Sequence, residues 1–337
     1  MSADQEEGIG MKPRPLTYAA VVAAATLVTA FVAWVSPAAD AATPAAARHP
    51  APVVNKVHLH TRFERALKRA RPSYKEAGIV PARDKRGRAL SASCSGCDVT
   101  WQGGPVQHSP HVYILLWGPN WTGSDLGFDD VYWMFDSLGQ SNDSWSTITS
   151  QYCDSSGCPA FTGPVLQGAW LDSSTPPNPV TSSDLAAEAN GLASDLGISD
   201  TGDAQIVVMS QSGTCFSDGF AGSCGSPGSG SYCAWHSYTG TVSYTNLPYQ
   251  LDAQGECGEN WINSGSGGTY DGFSTVGGHE FAESVTDPQL NAWWDTTDGS
   301  EISDKCAWAN PHGDISLTNG TFAMQSLWSN NAGSCVM

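Results

Sequence analysis

After Arg88 the chain holds a single basic residue, Lys305, against 26 of its 33 acidic ones. A body of this kind cannot be knit together by ion pairs, so cross-links and apolar burial must hold it. The same stretch carries all ten cysteines, at 94, 97, 153, 158, 215, 224, 233, 257, 306 and 335. The overall charge of -18 excludes nucleic acid as a partner, because phosphate binding needs a basic footprint. Hydrophobic residues at 40% and charged residues at 14% exclude a coiled coil, a multi-span membrane protein and a highly charged disordered chain.

The missing positive charge sits at the other end. Twelve Lys and Arg lie between Arg48 and Arg88, which leaves residues 42–90 at about +9 and residues 91–337 at about −25. Ahead of them, Lys12-Pro13-Arg14, the apolar run Leu16 to Val35 and the small-residue stretch Ser36 to Ala42 read as a secretory signal peptide over 1–41, cut after Ala41. A retained anchor is the competing reading, since about 20 apolar residues can span a bilayer. Residues 42–90 are expected to be a basic pro-segment, docked by charge on the acidic body until cleavage near Lys85-Arg86 or Arg88. The alternative is a basic linker beside an anionic envelope. Val57, Phe63 and Leu67 in this stretch fall near helical spacing. The protein is therefore expected to be secreted and extracellular, with no stable membrane partner after cleavage. An even number of cysteines in such a chain implies up to five disulfides, and Cys94-x-x-Cys97 and Cys153-x4-Cys158 are read as cross-links rather than metal or redox pairs.

Residues 91–337 read as one domain. The runs 111–117, 165–171 and 204–210 are rich in strand formers and bounded by turn residues. Residues 128–138 and 184–196 carry apolar residues on one helical face, the second helix capped by Ser182 or Ser183. Strand-like pieces follow at 233–238 and 241–249, a helix from Ser274-Thr275 to about Thr286, and a closing strand over 322–328. This order predicts an α/β fold: a mixed, partly parallel sheet flanked by helices, with disulfide-stapled loops.

The chemistry concentrates in Gly278-His279-Glu280-Phe281-Ala282-Glu283-Ser284-Val285-Thr286-Asp287-Pro288. On a helix, His279 and Glu283 stand one turn apart on one face, and Glu280 projects beside them. Imidazole and carboxylate are both ordinary zinc ligands. The layout is that of the His-Glu-x-x-His metallopeptidase helix with glutamate in place of the second histidine. His279 and Glu283 would then hold zinc, and Glu280 would be the catalytic base. A third ligand is sought in Glu301 and Asp304 first, then in His236 of Cys233-Ala234-Trp235-His236.

Over roughly residues 108–337 the sequence resembles the exordium or phosphate-induced family of secreted proteins. The resemblance rests on His111 to Gly118 with Asn120-Trp121, on Cys233 to His236, and on Gly278 to Glu283 followed by Thr286-Asp287-Pro288. It continues through Asn291-Ala292-Trp293-Trp294, Glu301 to Cys306, and Gln325 to Asn330 with Cys335. It implies an extracellular or wall-associated protein built around a zincin-like helix in an αβα arrangement.

Three functions follow as expectations. The first is a secreted zinc-dependent metalloendopeptidase, made as a zymogen, that acts on extracellular protein or peptide. The second is a non-catalytic wall protein that binds glycan through Trp293 and Trp294, since indole rings are good stacking platforms. The third is a metal-free, acid-acting carboxyl hydrolase in which Glu280 and Glu283 divide acid and base roles.

Overall fold

A computed structural model describes residues 49–57, 77–81 (backbone only), 98–122, 124–217 and 232–337. The expected signal peptide, the basic cleavage sites and Cys94, Cys97 and Cys224 lie outside the described residues. The apolar runs become one seven-stranded sheet made of β1 (Val54–Val57), β2 (Ala77–Pro81), β4 (His111–Trp117), β5 (Leu166–Asp172), β6 (Ala204–Ser210), β7 (Tyr232–Tyr238) and β8 (Ser243–Leu247). Their spatial order is β1-β5-β4-β6-β8-β7-β2. The first four neighbouring pairs are parallel, and β7 and β2 then add antiparallel. A short strand, β3 (Thr100–Trp101), pairs elsewhere with β9 (Trp293–Trp294).

Both edges of the sheet come from the basic stretch. Val54 pairs with Ala169, and Ala77 pairs with His236. The helical spacing of Val57 is thereby corrected: it ends a strand, because β5 offers it a ladder that local periodicity cannot register. Phe63 and Leu67 lie outside the described residues.

The central strands β4, β6, β8 and β7 are largely buried on both faces, while β5 and β1 toward one edge stay partly exposed. In β4, Ile114 and Leu116 face one core with α1 (Leu126–Ser137), while Leu115 and Trp117 face another with α2 (Ser182–Asp195). Asp125 caps α1 by accepting from the backbone N–H of Gly127 and Phe128, each at 3.0 Å. The cap of α2 is Thr181, which corrects Ser182 and Ser183: its side chain and that of Asp184 form a reciprocal capping box.

The third helix, α3 (Asp271–Thr286), begins three residues earlier than expected and is buried along its whole length. It lies on the α1 side of the sheet, packed against β7, β8, α1 and β11 (Gly320–Gln325). Glycines permit this fit. A Cβ on Gly272 would run into the carbonyl of Cys257, and one on Gly278 would occupy the space of the Met324 methyl and sit 3.4 Å from the Trp145 ring. β11 pairs with β10 (His312–Leu317), and the expected closing strand resolves into β11 and β12 (Leu327–Ser329), the latter paired with β13 (Ser334–Val336).

Disulfides join Cys153 to Cys158, Cys233 to Cys257 and Cys306 to Cys335; Cys215 is also disulfide-bonded, and no described cysteine is free. Among the described residues no helix is long and apolar enough to cross a membrane.

Candidate metal centre

Strand alternation and helical phase bring the sequence candidates together. On β7, Trp235 faces the α2 core, so His236 projects the other way, toward α3. On α3, His279 and Glu283 share a face, with His279 Nε2 3.0 Å from Glu283 Oε1. The chain after β9 returns through a short turn at Asp304–Cys306 that brings Asp304 Oδ1 to 3.5 Å from His279 Nε2. Asp304 is tied there by its backbone N–H, which donates to Glu283 Oε1 at 3.0 Å.

His236 does not join that set. Its Nδ1 lies 3.2 Å from Glu280 Oε2 and 3.5 Å from Glu283 Oε2. Five of the six candidates thus resolve into two donor triads, His279–Glu283–Asp304 and His236–Glu280–Glu283, each with its donor atoms within 4.8 Å of one another and with Glu283 common to both. Glu301 belongs to neither. It stands behind His236, with Oε2 3.7 Å from His236 Nε2, and contacts Asp287.

The donor set fits a metal. Zinc bonds of about 2.0–2.1 Å to nitrogen and oxygen imply tetrahedral ligand–ligand edges of about 3.3–3.4 Å, and the imidazole–carboxylate separations run from 3.0 to 3.5 Å, with every donor atom of a triad within 4.8 Å of the others. More telling is what these atoms lack. His279 Nε2, His236 Nε2, Glu280 Oε1, Glu283 Oε2 and both oxygens of Glu301 are buried without a hydrogen-bond partner. Orphaned polar atoms are individually costly, so this concentration marks a place built for something more than its own side chains.

The electrostatics are correspondingly strained. Burial alone would depress the His236 imidazole, but its contacts with Glu280 and Glu283 outweigh burial and hold its pKa up to about 10. His279 is likewise raised well above its ordinary value by Glu283 and Asp304, against burial. Burial pushes Glu280 up to about 7, although His236 and His279 oppose it. Glu283 goes the other way: the two imidazoles overcome burial and draw it down to about 2. Burial and the neighbouring Glu283 raise Asp304 to about 6. Burial, with Glu283 and Asp287 beside it, raises Glu301 well above its ordinary value.

Gln325 and Ser303 contribute with no sequence signal of their own. Gln325 of β11 accepts from His279 Nδ1 through Oε1 at 3.0 Å, while its amide donates to the Ser303 carbonyl at 2.9 Å. Ser303 Oγ donates to the His279 carbonyl at 3.0 Å. A ligating histidine needs such a partner on its other nitrogen to fix ring orientation. Asp287 caps the following loop by accepting from Asn291 and Ala292, each at 2.6 Å, and continues the 279–283 line by one more turn.

Trp293 and Trp294 occupy β9. Trp293 is half-buried, edge-on to Tyr152, and its indole donates to the Cys153 carbonyl. The exposed aromatic of that ribbon is Trp101, paired across from Trp293 and 41% accessible.

Compared with known proteins, the chain matches no family model, no curated protein and no solved structure.

Proposed function

We propose that this protein is a secreted, zinc-dependent endopeptidase of zincin-like αβα architecture, made as a zymogen with a basic pro-segment and acting in an exordium-like extracellular or wall-associated setting. One observation carries the reading: His279 Nε2, Glu283 Oε1 and Asp304 Oδ1 converge, while His279 Nε2 receives no hydrogen bond of its own. Zinc held by these three residues would supply Lewis acidity, polarising a substrate carbonyl and making water more acidic.

The remaining groups have separate tasks. Glu280 keeps Oε1 free to accept a proton, while His236 Nδ1 fixes its other oxygen. A carboxyl with a pKa of about 7 can take a proton and return it to a leaving amine near neutral pH. Gln325 sets the His279 ring so that Nε2 faces Glu283. Within the cluster only the Asp304 side chain has appreciable exposure, at 17%, which puts solvent access on that side. The disulfides support an oxidising, extracellular compartment.

The test is hydrolysis of an unfolded protein by the matured chain. Chelator should abolish it and zinc restore it, and Glu280→Gln should lower kcat by about 100-fold or more. Unchanged kcat in that variant would overturn the assignment. The Asp287–Glu301 contact favours a second reading, in which protonated carboxyls act without metal. That reading calls for an acidic optimum indifferent to chelator.

A further inference from the structure

The two triads share one residue, and the shared residue has two oxygens that face opposite ways. Glu283 Oε1 lies 3.0 Å from His279 Nε2, whereas Oε2 lies 3.5 Å from His236 Nδ1 and has no hydrogen-bond partner. The second triad is as close-set as the first, with His236 Nδ1 3.2 Å from Glu280 Oε2. Every donor in it is completely buried.

Charge balance points the same way. Among the described residues, five carboxyl groups, Glu280, Glu283, Asp287, Glu301 and Asp304, face two imidazoles. Lys305, the one basic side chain of the acidic body, is committed to Asp295 at 2.7 Å. Among the described residues, a single divalent cation leaves only the His236 imidazole to oppose the acids of the inner half of the cluster. Uncompensated buried charge is among the costliest features a fold can carry.

We propose that Glu283 bridges two divalent cations, one seated by His279 and Asp304 and the other by His236 and Glu280. The first position is that of the proposed function, and the second extends it. Glu280 would bind through Oε2, the oxygen facing His236, and keep Oε1 for the proton. Glu301 and Asp287 stand behind His236 as its outer support, with Glu301 Oε2 3.7 Å from the imidazole nitrogen that does not bind.

The experiment strips the full-length secreted protein with chelator and returns Zn²⁺ alone, reading bound metal by elemental analysis and calorimetry. Two equivalents are expected. His236→Ala should lose one and keep the other, Asp304→Asn should lose the complementary one, and Glu283→Gln should weaken both by tenfold or more. Because truncation at a buried histidine can unfold the chain, loading wild-type protein with Mn²⁺ carries the test without mutation. Two bridged ions give an exchange-coupled magnetic resonance spectrum, not the hyperfine pattern of isolated ions. One equivalent in wild type, lost in Asp304→Asn and kept in His236→Ala, overturns the second position and leaves the endopeptidase reading standing. Two equivalents with uncoupled Mn²⁺ overturn the bridge. No bound metal overturns both readings.

Discussion

Replacing Lys305 by alanine should destabilise this protein far more than an ordinary lysine substitution would. Its ammonium lies 2.7 Å from Asp295 Oδ2, with the lysine side chain fully buried and the aspartate side chain 3% exposed, and it also sits 4.7 Å from the Trp328 ring centroid. Asp295 in turn is held below its ordinary value, because the hydrogen bonds from Lys305 and, secondarily, Thr297 outweigh burial. Removing the cation strands a buried carboxylate, which costs about 3–5 kcal/mol, against about 0–1 kcal/mol for a surface pair. The lost cation–π contact adds about 1 kcal/mol or less on top, not strictly additively. For a chain of this size each kcal/mol moves Tm by roughly 2–4 °C, so a fall of about 10 °C is expected. Denaturant unfolding of oxidised wild type, Lys305→Ala, Asp295→Asn and the double variant would measure it. The double variant should recover much of the loss, since an apolar or neutral pair leaves no orphaned charge. A cost below about 1 kcal/mol for Lys305→Ala, or a double variant as unstable as the sum of the singles, would refute the account of Lys305 as a buried counter-ion.

Further outcomes follow from the same geometry. In the metal-free protein both imidazoles are charged at pH 7, so filling both positions should expel between about two and three protons, from His236, His279 and part of Glu280. Calorimetry in buffers of different ionisation heat measures this, and release of less than about one proton would refute the charged imidazoles. Asp154 is held down to about 2: hydrogen bonds from Val106, Ser156, His108 and Gly157 outweigh its burial. Its contribution is therefore present above about pH 4 and lost as pH falls toward 2. Asp154→Asn should cost about 2 kcal/mol at neutral pH and almost nothing near pH 2, which denaturation at the two pH values would show. Gly272→Ala places a methyl against the Cys257 carbonyl, a backbone atom that cannot swing aside. A loss of about 1–3 kcal/mol, with weakened zinc binding from a displaced α3, is expected by denaturation and metal titration.

Much of the scaffold is legible in the chain because its signals are local. The run at 111–117 announces β4, and the spacing of His279, Glu280 and Glu283 announces a helix with three functional groups on adjoining faces. What escapes is whatever depends on distant partners. His236 and Asp304 are both candidate ligands by residue type, but only the β7 alternation and the turn at 304 assign them to different triads. Gln325 reaches His279 across 46 positions, and an isolated glutamine in a strand carries no mark of that task. Asp287 extends the 279–283 spacing by four residues, so its place in line with them is legible in the sequence. Thr181 does not stand out as a cap because the serines after it are equally good capping residues in isolation, and only the contact with Asp184 selects it. The strands at 54–57 and 77–81 are short and embedded in basic sequence, so their pairing with β5 and β7 leaves no pattern to read.

The positions of β1 and β2 change what proteolytic processing would mean. Severing the chain near Lys85-Arg86 would cut a covalent link but not the ladder that runs from Ala77 opposite His236 to Pro81 opposite Tyr232. The clipped piece would stay zipped to its neighbour, giving a nicked, two-chain molecule in place of a shortened one. Pulling it away would bare the backbone donors and acceptors of β7 and β5 together, two open borders on one sheet. Release of that piece, rather than the cut itself, would be the step that needs a driving force.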